Sequence, residues 1–131
     1  MRPMLALSLL TALAGCRSTV PETLVGSWGG PHIGLVVTAG GAELEYDCAH
    51  GRITEPLRTD SEGEFVAAGV HVREHGGPVR DGEPADEHPA RYVGRVRGTA
   101  MTLRVELTDT ASTIGSFELE RGADPGVLKC L

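Results

Sequence analysis

The chain has 131 residues, with 12 Lys and Arg against 18 Asp and Glu, a net charge of −6 and a sequence pI near 5.3. That length holds one domain of ordinary size, and an acidic chain without a basic stripe to neutralise phosphates excludes nucleic acid and anionic lipid headgroups as electrostatic partners. With 18 Gly, 8 Pro and neither Asn nor Gln, long helices and recognition through side-chain amides are both disfavoured.

At the start of the chain, Arg2 supplies a positive charge, and Met4 to Gly15 is a mostly apolar run ending in small side chains. This is the pattern of a secretory signal. A spanning helix needs roughly 20 apolar residues, and Cys16, Arg17 and Ser18 stop the run short of that. Leu13-Ala14-Gly15-Cys16, placed just behind it, resembles a bacterial lipobox. The resemblance implies a diacylglycerol on Cys16 and removal of residues 1–15, which leaves a lipidated tether over 16–24 before a single domain with a C-terminal tail over 25–131. It also implies a lipoprotein of the cell envelope that touches the membrane through its N-terminal lipid. Because Arg17 and not Asp follows the cysteine, it implies the outer membrane where the organism has one.

Three cysteines are an odd number for an exported chain. Lipidation of Cys16 resolves the count and leaves Cys48 and Cys130 for a disulfide in an oxidising compartment. The alternative is two buried free thiols.

From Val25 onward, alternation with period 2 is interrupted by Gly, Pro and Asp at close intervals. It predicts strands at Val25–Gly29; at His32–Thr38, with Ile33, Leu35 and Val37 on one face; and at Ala42–Cys48, with Leu44 and Tyr46 inward. Further strands are predicted at Arg52–Leu57; at Glu64–Arg73, with Val66, Ala68, Val70 and Val72 on the apolar face; and at Arg91–Arg97, presenting Tyr92 and Val96. The last two are Met101–Leu107, whose Met101, Leu103, Val105 and Leu107 face in, and Ile114–Arg121, which buries Phe117 and Leu119. Eight sequential strands with short connections predict an all-β, up-and-down antiparallel barrel, since closure removes exposed edges. A small β-sandwich is the alternative. The longest connection, Glu74 to Pro89, is rich in Gly, Pro and acidic residues.

Gly26-Ser27-Trp28 opens the first strand and Arg121 closes the last. This pairing is similar to the lipocalin and wider calycin pattern, in which a Gly-x-Trp tryptophan packs against an arginine of the final strand at the closed end. The resemblance implies that Trp28 and Arg121 form such a pair, and that the barrel belongs to a group whose members often bind small apolar molecules. Activity does not follow from fold alone.

In an up-and-down barrel, successive loops alternate between the two ends. That rule gathers His32, His50, His71, His75 and His88 near the rim opposite Trp28, together with Asp86 and Glu87. The sharper reading of this mouth is a zinc-like cation held by imidazoles and a carboxylate, with His71, His75 and His88 as the candidates. Their spacing matches no standard metal motif, and solvated loop histidines are the plainer reading. No metal or cofactor is therefore assigned. No Gly-x-Ser-x-Gly elbow or nucleophile–base pair stands out, so no catalytic residue is assigned either. The expected function is a non-catalytic, lipid-anchored envelope protein whose mouth binds a small apolar ligand or an envelope protein. A second possibility comes from Tyr46-Asp47-Cys48 with Cys130, which is similar to the Tyr-x-Cys motif and C-terminal disulfide of small periplasmic lysozyme-inhibitor lipoproteins. The tight aliphatic alternation predicts little internal space, with any binding concentrated in the long loop and at the histidine rim.

Overall fold

A computed structural model describes residues 24–131. The signal segment, the lipobox with Cys16, and the tether up to residue 23 lie outside the described residues.

Eight strands follow one another: β1 (Gly26–Gly30), β2 (Ile33–Thr38), β3 (Gly41–Tyr46), β4 (Ala49–Ile53), β5 (Glu64–Arg73), β6 (Asp86–Arg97), β7 (Ala100–Leu107) and β8 (Ser112–Arg121). Each pairs antiparallel with its successor, and β8 returns to β1, so the sheet is a closed up-and-down barrel and not a sandwich. The seam is short, with only Trp28↔Arg121 and Gly29↔Glu120 in register. Inward positions alternate as expected on β2, β3 and β7, where Ile33, Leu35, Leu44, Tyr46, Leu103 and Val105 are all buried. At the closed end the Arg121 guanidinium lies 4.4 Å from the centre of the Trp28 ring, while the indole N–H donates to the Leu24 carbonyl at 3.1 Å.

The face of β5 is opposite to the expectation. Phe65, Ala67 and His71 point inward and are buried, while Val66 is 58% exposed. The cause is volume. Tyr92 on β6 is fully buried, and a Cβ at Gly69 would come within 2.9 Å of its ring, so the inner face of β5 carries the small Ala67 and Gly69 beside it and the valines alternate to the other face. The fourth strand also differs, occupying Ala49–Ile53 and not Arg52–Leu57. The connection from β3 is a tight Asp47-Cys48 turn in which Cys48 itself takes φ of 53°. Likewise β6 begins at Asp86, because Asp86 to Pro89 pair with Arg73 to Val70, which shortens the long connection to residues 74–85.

After Arg121 the tail turns back along the outside of the barrel. Gly122 N–H donates to Ser27 O at 2.7 Å, Pro31 and Gly126 form a parallel bridge, and the tail ends in a disulfide between Cys130 and Cys48, with Cα atoms 4.9 Å apart. The cross-strand pair Gly29↔Gly34 makes this route possible. A Cβ at Gly34 would sit 2.8 Å from the Pro125 ring, and one at Gly29 would collide with the Ala123 carbonyl.

Candidate functional site at the barrel mouth

The mouth rim is built from four connections and the tail: the Pro31-His32 turn, the Asp47-Cys48 turn, the segment after β5, and the β7–β8 turn that carries Asp109 and Ala111. Among the described residues, three that are not glycine have positive φ, His32 at 67°, Cys48 at 53° and Ala111 at 52°, and each lies in a turn at this rim. Such conformations are uncommon outside glycine and cost free energy that the surroundings must offset.

The five histidines do gather at this end, but in two different states. Four are paired with acids. His32 Nδ1 is 2.6 Å from Asp47, His50 Nδ1 is 3.7 Å from Glu74, and His75 Nε2 is 2.7 Å from Glu83. His88 lies between Asp109 at 2.7 Å and Asp86 at 2.9 Å. Hydrogen bonds to Asp109 and then Asp86 hold the His88 imidazole above its ordinary range, and the same contact with His88 lowers Asp109. His75 is raised by the Gly76 carbonyl and by Glu83. Glu87 is exposed on β6, opposite Val72.

His71 is the exception. Instead of standing at a solvated rim, it is 2% exposed and projects into the barrel, and its Nδ1 has no hydrogen-bond partner. Burial, followed by the nearby Arg73, lowers its pKa and favours the neutral imidazole. Beside it, 5.2 Å between ring centres, is Tyr46, 3% exposed, whose buried hydroxyl interacts with Tyr92. Burial, reinforced by the neighbouring Tyr92, drives the Tyr46 phenol far above the usual range. Tyr92, by contrast, donates its hydroxyl to the Val70 carbonyl at 2.6 Å, with its pKa pushed up by burial to about 12.

Tyr46 and His71 form the floor of a cleft of about 370 Å³ that opens at the rim. Ala49, Ile114 and Phe117 give it apolar walls, and Asp47, Arg73 and Glu74 stand at its edge. Below this floor the barrel is filled by Tyr92, Phe65, Leu35 and Trp28. Two of the rim carboxylates already have partners. Asp47 accepts the Leu128 N–H at 2.7 Å and is held low first by that bond and then by His32, while Glu74 is held low by Lys129 at 2.8 Å. Lys129 also pairs with Glu45 and donates to Ala49 O, so the tail is fastened across the rim by its side chain as well as by Cys130.

A larger concavity, about 830 Å³, lies on the outer surface of β5 to β8, where Glu64, Val66, Arg95, Arg104 and Glu118 project to solvent. Its charges face one another across strands, as in Arg95 Nε to Glu64 at 4.0 Å, and no nine-tenths-buried polar side chain projects into it. The mouth cleft therefore has the stronger chemistry despite its smaller volume.

The proposed metal ligands do not converge. His71 faces His88 across β5 and β6, but His88 is engaged by two aspartates and His75 by Glu83. Among the described residues, no three His, Cys, Asp or Glu side chains are placed to hold an ion. The alternating pattern gave Tyr46 as core but did not identify it as a site residue, because its role depends on which residue of β5 faces it. The chain matches no family model, no curated protein and no solved structure.

Proposed function

We propose that this is a lipid-anchored protein of the bacterial cell envelope, exported and attached through Cys16, whose barrel mouth binds a small molecule without catalysis. The observation that carries the binding reading is the buried His71, whose Nδ1 has no partner, beside Tyr46 in the lining of an open cleft. Leaving such a group unsatisfied costs about 1–3 kcal/mol, which a ligand supplying the missing hydrogen bond recovers. Strained turns at the same rim and a covalently fastened tail support a preorganised mouth. The non-catalytic reading rests on the sequence, where no Gly-x-Ser-x-Gly elbow or nucleophile–base pair stands out.

Anchoring rests on the sequence resemblance, and the Cys48–Cys130 bond is compatible with an oxidising compartment. Because Leu24 enters beside Trp28, a tether upstream would place the closed end towards the membrane and the mouth away from it. Two experiments test the whole reading. Cys16→Ser should abolish acylation and membrane partitioning. A fragment survey by NMR on the mature protein should give shifts that cluster at Tyr46, His71 and Phe117; shifts scattered over the outer wall would overturn the mouth as the site. A second reading is favoured by the Tyr46-Asp47-Cys48 turn tied to Cys130, which fits the lysozyme-inhibitor resemblance. Inhibition of lysozyme by the purified protein, lost on mutation of the rim, would establish it.

A further inference from the structure

Each charged group at the edge of the mouth cleft has an opposite partner except one. Asp47 is satisfied by His32 and the Leu128 N–H, and Glu74 by Lys129 with His50 nearby. Arg73 makes no ion pair among the described residues. It follows His71 by two positions on β5 and so stands on the same face, one strand repeat nearer the opening, or about 6.6–6.8 Å along the strand. A free arginine alone would be a solvated side chain. Here it stands above the buried His71, whose Nδ1 has no partner, and the neighbouring Tyr46 hydroxyl, with the apolar walls of Ile114 and Phe117 between rim and floor.

Building on the mouth-binding reading, we infer that the ligand is a small organic acid. Its carboxylate would meet Arg73 at the rim, its short apolar or aromatic body would lie against Phe117 and Ile114, and a hydroxyl or carbonyl at its inner end would meet Tyr46 and His71. The parts fit chemically. Guanidinium and carboxylate make the strongest charge-assisted pair among side-chain contacts. The Tyr46 hydroxyl donates or accepts, and the neutral imidazole does either according to its tautomer. An ammonium ligand is disfavoured at the rim, where Arg73 is, among the described residues, the charged lining group without an opposite partner. The volume of about 370 Å³ is at the low end for small-molecule sites, so the body is about the size of a single ring.

Three matched probes test each end separately on the mature protein near pH 7: 4-hydroxyphenylacetate, tyramine, which replaces the acid by an amine, and 4-methylphenylacetate, which replaces the inner hydroxyl by a methyl. Affinities come from NMR titration with shifts mapped to the mouth. 4-Hydroxyphenylacetate should bind about tenfold or more tightly than tyramine, and several-fold more tightly than the methyl analogue. Arg73→Gln should erase the acid-over-amine preference while leaving the affinity for neutral 4-ethylphenol unchanged. Tyr46→Phe, with its amide spectrum checked for an intact barrel, should erase the hydroxyl-over-methyl preference. If the three probes shift the mouth with equal affinity, or tyramine binds best, the acid is the wrong class and the mouth remains a binding site. If none shifts Tyr46, His71 or Phe117, both the ligand class and the mouth-binding reading fall.

Discussion

Removing the covalent tie between the tail and the Asp47-Cys48 turn tests how this small barrel is stabilised. The Cys48–Cys130 bond spans 82 positions. The loop-closure relation for a cross-link of that span gives an entropy loss in the unfolded chain of about 15 cal/mol/K, or about 4.5 kcal/mol at 25 °C. The Cys48→Ala, Cys130→Ala double variant should lose most of that amount. It should retain a native fold, because the tail keeps its bonds from Gly126 to Gly30 and from Leu128 to Asp47. At roughly 4 °C per kcal/mol for a domain near 100 residues, the midpoint of thermal unfolding should fall by roughly 20 °C. Urea unfolding followed by the fluorescence of Trp28, the single tryptophan, gives the free energy directly. The slope against urea should rise, since the uncrosslinked unfolded chain exposes more surface. A loss under about 1.5 kcal/mol, or an unchanged slope, would show that the bond does not act through the unfolded chain and would refute the reasoning.

Gly30→Ala should be the most damaging single methyl in the barrel, because its Cβ would enter the Glu118 carbonyl beside the short β1–β8 seam. A cost of about 3 kcal/mol and accelerated amide exchange at Glu120 and Arg121 are expected. Arg121→Ala removes the guanidinium from the Trp28 ring and from Val25 O, and should cost about 1–2 kcal/mol in urea unfolding, with Arg121→Lys recovering only part. The pH dependence follows from His88 and its acids. Its raised pKa means that its contribution is fully present below the ordinary histidine value and is lost as pH rises through the folded value. Asp109, lowered by the same contact, contributes above the ordinary carboxylate value and loses that contribution as pH falls through its folded one. His88 should therefore contribute a decline in stability as pH rises from about 6.5 through its raised folded value, against the rise that His71, lowered by burial, contributes over the same range. The urea midpoint of His88→Gln should gain on that of the parent protein as pH rises through that interval, and a constant difference between the two would assign the dependence to other groups.

Where one face of a strand is plainly apolar, as in Met101 to Leu107 or Ile33 to Val37, pattern alone places the side chains, and the order of eight such segments leads to a closed barrel. The failures share a physical cause. On β5 the valines form the more hydrophobic set, yet the inner face must yield space to Tyr92, so Ala67, Gly69 and His71 occupy it. The β3–β4 turn carries no Gly at its centre, and Cys48 adopts the left-handed conformation there in a position tied to Cys130, a constraint that local propensity does not register. The convergence of histidines followed from topology, whereas the burial of His71 and its contact with Tyr46 depend on cross-strand register and on which face of β5 turns inward.

The tail also governs when the barrel can be completed. Strand β1 is made first, yet its partner β8 and the bridge at Gly126 come from the other end of the domain. As the chain is made, the β1–β2 hairpin therefore waits with one open edge, and Cys48 waits as an unpaired thiol, until residue 130 has emerged. Contacts of such long range form slowly. A chain interrupted anywhere before the tail would retain an exposed edge and an unpaired cysteine, two marks by which quality-control proteases and oxidoreductases could distinguish it from the finished molecule.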